Sequence, residues 1–304
     1  MAARTTALSN PGRVIGRVGS VGRVLYKTVT QDRMTTVYFS ILSIIFLMGI
    51  IGPMITPYGY QERLYTDGGE LLRSHPPSLS YPLGTTEESY DTLSRLLYGA
   101  RPTVITGLLG GGIIISIGGT VGLVSGYFGG RVDDLLMRVT DFMYGVPMIP
   151  FAIVLLALFG MNFLMSIVVI GLILWRSSAR VIRSQVLQIK ERSFVQSARA
   201  TGASDLRIVV MYILPNVAPM MALMFAMGLG YAIIVQASLA FVGVVDPFVP
   251  SWGVMLRNAY QSGYMGTALW WSLPPGILIS VTVLSSFMFG RKIAGKEERD
   301  SSIA

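Results

Sequence analysis

Scanned for charge alone, the chain alternates between polar segments and five long stretches without Asp, Glu, Lys or Arg: 34–61, 102–130, 142–175, 208–245 and 258–290. A helix crosses a hydrocarbon layer of about 30 Å with about 20 apolar residues. A charge at its centre costs about 2.5–3.5 kcal/mol on insertion scales, so each charge-free stretch is informative. The stretch 142–175 would extend about 50 Å at ~1.5 Å per residue, too long for one crossing. Phe159-Gly160-Met161-Asn162-Phe163 offers a short polar break inside it. The pattern therefore predicts six spans, at about 35–56, 102–127, 135–159, 163–182, 215–243 and 269–290.

Composition sharpens this into an all-α polytopic membrane protein. Of 304 residues, 52% are hydrophobic and 13% charged, against about 25% charged in soluble domains. Zero cysteines exclude a disulfide framework, thiolate metal sites and a thiol nucleophile. His75, the single histidine, leaves no cluster for a catalytic metal, and we expect a solvated loop residue there. No catalytic constellation emerges, so neither an enzyme nor a cofactor is expected.

The distribution of charge sets the expected orientation. With six spans, the segments on one side hold 19 Lys and Arg and those on the other hold 5. The acidic residues divide 9 to 7, so the bias belongs to the basic residues, as the positive-inside rule requires. Both termini are then expected in the cytoplasm, and the formal charge of +8 answers to the membrane rather than to nucleic acid. The predicted organisation is a cytoplasmic tail (1–34), a first transmembrane helix (35–56), an extracytoplasmic loop (57–101), a five-helix core (102–290) and a cytoplasmic tail (291–304). The core contains a long cytoplasmic connection, 183–214. The N-terminal tail (Arg4, Arg13, Arg17, Arg23, Lys27, Arg33) suits anionic headgroups. Its length, and the absence of a small-x-small cleavage site after the first span, argue against a signal peptide.

Glycines recur in the second span as Gly107-xxx-Gly111 and Gly118-xxx-Gly122-xxx-Gly126, a stripe that permits close helix packing. Asp134, Arg138 and Asp141 fall on one face at the start of the third span and are expected to form an ion-paired stripe. Few ionisable residues lie at depth, which disfavours a proton- or sodium-driven carrier. Among the polar side chains at depth, Gln236 and Ser238 are the candidates for a translocation path. Gly290-Arg291-Lys292-Ile293-Ala294-Gly295-Lys296-Glu297 nearly matches a phosphate-binding loop. Glu297, however, stands where a hydroxyl should meet magnesium, and the segment follows a membrane span rather than a strand.

The connection between the fourth and fifth spans carries the strongest signal. It reads as a short helix with small side chains (Ser197, Ala198, Ala200) beside Phe194, a break at Gly202, and a second helix capped by Ser204 with Asp205 in its first turn. Pro215 is expected to interrupt the pattern at the membrane. Such a helix suits insertion into a groove on another protein.

This segment resembles the EAA loop of ABC importer permeases. Gln196-Ser197-Ala198 stands for the Glu-Ala-Ala triplet, Gly202 for its glycine and Leu214-Pro215 for its Leu-Pro, with the spacing kept. More narrowly, the chain resembles the C-type permease subunit of dipeptide and oligopeptide importers. That likeness also rests on Tyr81-Pro82-Leu83-Gly84-Thr85, the run Leu93–Arg101, Asp133 through Asp141 with Pro147, Ala179–Arg183, Ala237–Gly243 and Pro250–Gly253. It departs from the pattern at Gln196, Ser197, Ser89-Tyr90-Asp91 and Gln236, where a Glu commonly stands. The resemblance implies a six-helix, MetI-like permease of the type I importer fold. Its implied partners are a homologous B-type permease, two cytoplasmic ATPase subunits that bind the ATP, and an extracytoplasmic solute-binding protein. It assigns ATPase coupling to Phe194, Gln196, Ser197, Ala198, Gly202, Asp205, Leu214 and Pro215. Nickel complexes, glutathione and oligosaccharides are alternative cargoes, and a secondary transporter is the less favoured mechanism.

Overall fold

The computed structural model describes residues 32–303, with side chains through Ile293. The basic segment from Arg4 to Lys27 and the side chains of Lys296 and Glu297 lie outside that description. The helices are α1 (Arg33–Ile55), α2 (Thr92–Phe128), α3 (Gly130–Gly145), α4 (Met148–Phe159), α5 (Phe163–Lys190), α6 (Ser193–Ala200), α7 (Asp205–Ile208), α8 (Leu214–Val242), α9 (Trp252–Gln261) and α10 (Leu269–Ile303). Five helices are long and apolar enough to cross a membrane, with a sixth crossing if α3 and α4 count as one.

Close backbone approach organises the bundle. A Cβ added at Gly118 would lie 2.6 Å from the Trp175 carbonyl oxygen, and one at Gly122 would lie 2.7 Å from that of Ala179. One at Gly126 would meet Val186 at 2.8 Å. These glycines seat α2 directly on α5. The other pair of the predicted stripe faces a different helix: at Gly111 the added atom would meet the Leu229 backbone of α8 at 3.0 Å. One helix thus carries two glycine seams, and α2 stands at the centre of the fold.

The remaining helices pack around this core. α1 sets Gly49 and Gly52 against α2 at Val104 and Leu97, while α10 docks on α8, where Ser286 donates to the Ala226 carbonyl. Phe39 of α1 meets Phe289 of α10 at 5.7 Å. Lys292 closes that contact with a 2.6 Å bond to Asp32, the N-cap of α1. The ammonium and the Met34 amide hold the Asp32 carboxyl below its ordinary range.

Three expected boundaries move. α2 begins at Thr92, not near 102, capped by Asp91 accepting from the Ser94 amide. With 37 residues it is about 55 Å long, so roughly its first two turns stand clear of the hydrocarbon. The third span is not straight: α3 and α4 meet at 94° across Val146 and Pro147. Proline disfavours helical backbone in the residue before it, and Val146 is extended (ψ 123°). Pro215 does not interrupt the fifth span. A π-helical turn at Val209–Ile213 carries the backbone into α8, with Pro215 in the first turn, where its missing N–H is not needed. The break at 160–162 stands as expected, with Gly160 at φ +102° and Asn162 capping α5. Gly290 and Arg291 onward continue as helix in α10, so the near-match to a phosphate-binding loop is no loop.

Residues 56–91 form a built pad rather than a slack connector. Isolated bridges pair Arg63 with Tyr90 and Thr85 with Asp91. Arg95, 6% exposed, is stacked between Tyr60 at 4.6 Å and Tyr90 at 4.2 Å, with Glu88 at 3.6 Å. Aromatic faces and a carboxylate together stabilise a buried guanidinium. Burial pushes the Tyr60 phenol up, with Arg95 opposing. His75 is half-buried in this pad, edge-on to Tyr81, with its ring hydrogen bond to the Pro76 carbonyl left exposed. The Trp252 indole donates to the Leu96 carbonyl at 3.0 Å, locking α9 beneath the pad.

Candidate functional site

The loop between α5 and α8 folds as a short amphipathic helix clamped to the bundle. Val195 of α6 is buried with Ile208, Ile213 and Val217, and with Ile182 and Val186 of α5, and Ala198 of the same helix is 7% exposed. Three positions apart, Val195 and Ala198 share one helix face, and that face is the anchor. Ala198 therefore turns inward and belongs to the anchor rather than to the small outward-facing set expected from the sequence. The outward side presents Phe194 (41% exposed), Gln196, Ser197, Arg199 and Ala200.

Gly202 ends this helix. Its φ is +81°, and an added Cβ would meet nothing within 4 Å, so conformation rather than space requires glycine here. The Gly202 amide donates to Arg199 and the Ala203 amide to Ala198, satisfying the last carbonyls of α6. Ser204 holds the N-cap position of α7 with extended backbone, yet its side chain makes no capping bond, contrary to the expectation for it. Asp205 instead accepts a 2.6 Å hydrogen bond from the Tyr127 hydroxyl at the end of α2. Lys190 at the end of α5 and Arg199 of α6 lie 5.8 and 5.9 Å from the Tyr127 ring. Gln196 donates to the Glu191 carbonyl at 3.2 Å. Leu214 is half-buried and Pro215 exposed at the base of α8.

The sequence reading missed two residues here. Leu206 is 76% exposed and is an apolar group offered outward. Its signal is an isolated leucine between Asp205 and Arg207. Tyr127, only 3% exposed, looks in the sequence like any aromatic residue at a span end.

Two ion pairs hold α3 against α5 at the same end of the bundle. Arg183 donates to both Asp133 oxygens, from Nε at 2.6 Å and from a terminal nitrogen at 2.5 Å. Arg180 pairs with Asp141 and stacks on Tyr144 at 4.0 Å. The expected stripe of Asp134, Arg138 and Asp141 is thus replaced by pairing between helices, through Asp133 and Asp141. The fork of a guanidinium matches a carboxylate on a neighbouring helix better than a residue along its own helix. Of the two path candidates, Gln236 is buried at 3% exposure, and Ser238 returns its hydroxyl to the Ile234 carbonyl.

Comparison with known proteins matches residues 118–295 to the family described as "Binding-protein-dependent transport system inner membrane component". The chain is 31% identical over 268 residues to the dipeptide transport system permease protein DppC of Bacillus subtilis, covering 87% of this chain and 81% of the relative. It is 29% identical over 245 residues to the oligopeptide transport system permease protein OppC of Haemophilus influenzae, covering 80% and 77%. It is 33% identical over 232 residues to the glutathione transport system permease protein GsiD of Pectobacterium atrosepticum, covering 76% of each.

Proposed function

The chain belongs to the binding-protein-dependent transport system inner membrane components, and on that premise we propose that it is the C-type permease subunit of an ATP-driven importer of dipeptides or oligopeptides. The observation that carries this reading is the α6 segment, fixed to the bundle through Val195 and Ala198 and offering Phe194 and Ser197 outward, with Leu206 exposed on the following helix. A short rigid helix whose outward side sets Phe194 among small and polar residues is what a groove on a neighbouring ATPase would grip. Of the residues assigned to coupling, Phe194, Gln196 and Ser197 form the contact. Ala198, Asp205, Leu214 and Pro215 transmit its displacement, and Gly202 gives the turn between the two groups.

The assembly has two permeases, this one and a homologous B-type subunit, two ATPase subunits that bind and hydrolyse ATP, and an extracytoplasmic binding protein. The basic end of the bundle faces the cytoplasm of a plasma-membrane protein, which places the α6 segment within reach of the ATPases. Closure of the ATPase pair moves α6 as a body, and the motion passes through Tyr127 to α2 and through the π-helical turn to α8. Glutathione, named for one group of relatives, is itself a small peptide and fits the same path as a secondary cargo.

Uptake into proteoliposomes holding the whole assembly tests this. Labelled dipeptide should accumulate with ATP and binding protein, and not with a non-hydrolysable nucleotide. Accumulation that persists without hydrolysis and collapses with an ion gradient would instead establish a secondary transporter.

A further inference from the structure

α2, α5 and α8 enclose a half-open cavity of about 370 Å³ whose polar and sulfur-bearing lining is Ser177, Ser178, Met224, Met227 and Tyr231. Resting on the peptide-import reading above, we propose that this cavity receives a neutral side chain of the peptide cargo as it passes this subunit.

Depth gives the first argument. Ser177 lies 14 residues after Phe163 and Tyr231 17 residues after Leu214, some 20–25 Å from the respective helix starts at ~1.5 Å per residue. Both lie within the length of a crossing, and both are exposed, Tyr231 at 45%. Hydrocarbon offers the Tyr231 hydroxyl no partner, so a face that exposes it beside the Ser177–Tyr144 hydroxyl pair looks onto a wet path rather than onto lipid. α1 shows what lipid receives: Ile44, Leu47, Ile50 and Met54, all apolar and all exposed.

Chemistry gives the second. The lining holds no ionised group. The nearest guanidiniums, Arg176 and Arg180, are already engaged, Arg176 by the Met143 and Ile173 carbonyls and Arg180 by Asp141. A charged side chain entering the cavity would meet no counter-ion and lose its water, whereas an apolar or uncharged one loses little. Two methionines give the wall an adaptable surface that fits many shapes, and Ser177 is hydrogen-bonded to Tyr144 at 3.1 Å, so one rim is fixed. The volume sits at the low end of the ~300–1,000 Å³ of small-molecule sites, enough for one residue of a cargo and too little for an oligopeptide.

The test uses the full reconstituted assembly with Met227→Trp, which fills the cavity, and Met227→Ala, which enlarges it. Uptake is measured for diglycine and diphenylalanine. Met227→Trp should lower the diphenylalanine-to-diglycine uptake ratio about tenfold, and Met227→Ala should raise it about threefold, the scale of discrimination a pocket of altered size gives. An unchanged ratio in both variants overturns the proposal while leaving peptide import standing. Wild-type assembly that moves neither these dipeptides nor a labelled oligopeptide removes the import reading and this proposal with it. Because the chain has no cysteine, Met227→Cys adds an independent check. Protection of that thiol by cargo is expected, and a permanent crosslink to the sister permease would give the cavity to that subunit and overturn the proposal.

Discussion

Tyr127 and Asp205 are 78 positions apart in the chain and 2.6 Å apart in space, joined by a hydrogen bond that ties the end of the central helix α2 to the turn following α6. The segment offered to a partner is thereby connected to the helix that carries both glycine seams. A push on the loop reaches the core through one bond and one buried ring. Tyr127→Phe keeps the ring and removes the bond, at about 1–2 kcal/mol or less given the exposure of Asp205. The expected result is near-normal assembly with more ATP hydrolysed per peptide moved. An unchanged ratio of hydrolysis to uptake would rule out this route.

The glycine seams make a paired prediction. Gly122→Leu places side-chain atoms into the Ala179 carbonyl and should separate α2 from α5, costing about 2 kcal/mol or more. Gly112, on the same helix, has nothing within 4 Å of its added Cβ, and Gly112→Leu should be tolerated. Folded yield in detergent and melting temperature distinguish the two.

Asp133 is 14% and Arg183 32% exposed at their side chains, so their bond is screened only in part. A double-mutant cycle with Asp133→Asn and Arg183→Gln should show a coupling energy of about 0.5–3 kcal/mol in thermal unfolding. The same cycle on Arg180 and Asp141, 47% and 61% exposed, should give less. Equal values would mean that burial does not set the strength of these clamps.

Orientation is tested by single cysteines in a chain that has none. Ser78→Cys in the pad should react with an impermeant thiol reagent applied outside whole cells, and Ser204→Cys should react only after permeabilisation. The reverse pattern would invert the bundle.

How far the chain could be read in advance depends on which physical quantity each signal reports. Absence of charge reports hydrocarbon, so it found the five long apolar helices and the bent α3–α4 pair but not where helices end. The first two turns of α2 lie outside the membrane, where Arg95 is admissible and is held by Tyr60, Tyr90 and Glu88. The glycine spacing foretold close packing, yet only coordinates show Gly118, Gly122 and Gly126 on α5 and Gly107 and Gly111 on α8. The bend at Val146-Pro147 and the smooth passage of Pro215 are opposite outcomes for the same residue type. The difference lies in the register that the π-helical turn supplies, which no local pattern announces. The loop motif located α6 and Gly202 correctly, while the inward turn of Ala198 and the role of Tyr127 depend on packing with α5 and α2.

The central claim is that α6 is the surface through which a nucleotide-hydrolysing neighbour drives this permease. Its most direct measurement is crosslinking from Ser197→Cys, the small outward residue of that helix, in the assembled importer. The account predicts a crosslink to the ATPase subunit, with peptide uptake lost once the bond is made. A complex that hydrolyses ATP and imports peptide while the Ser197 position crosslinks to no ATPase would contradict it.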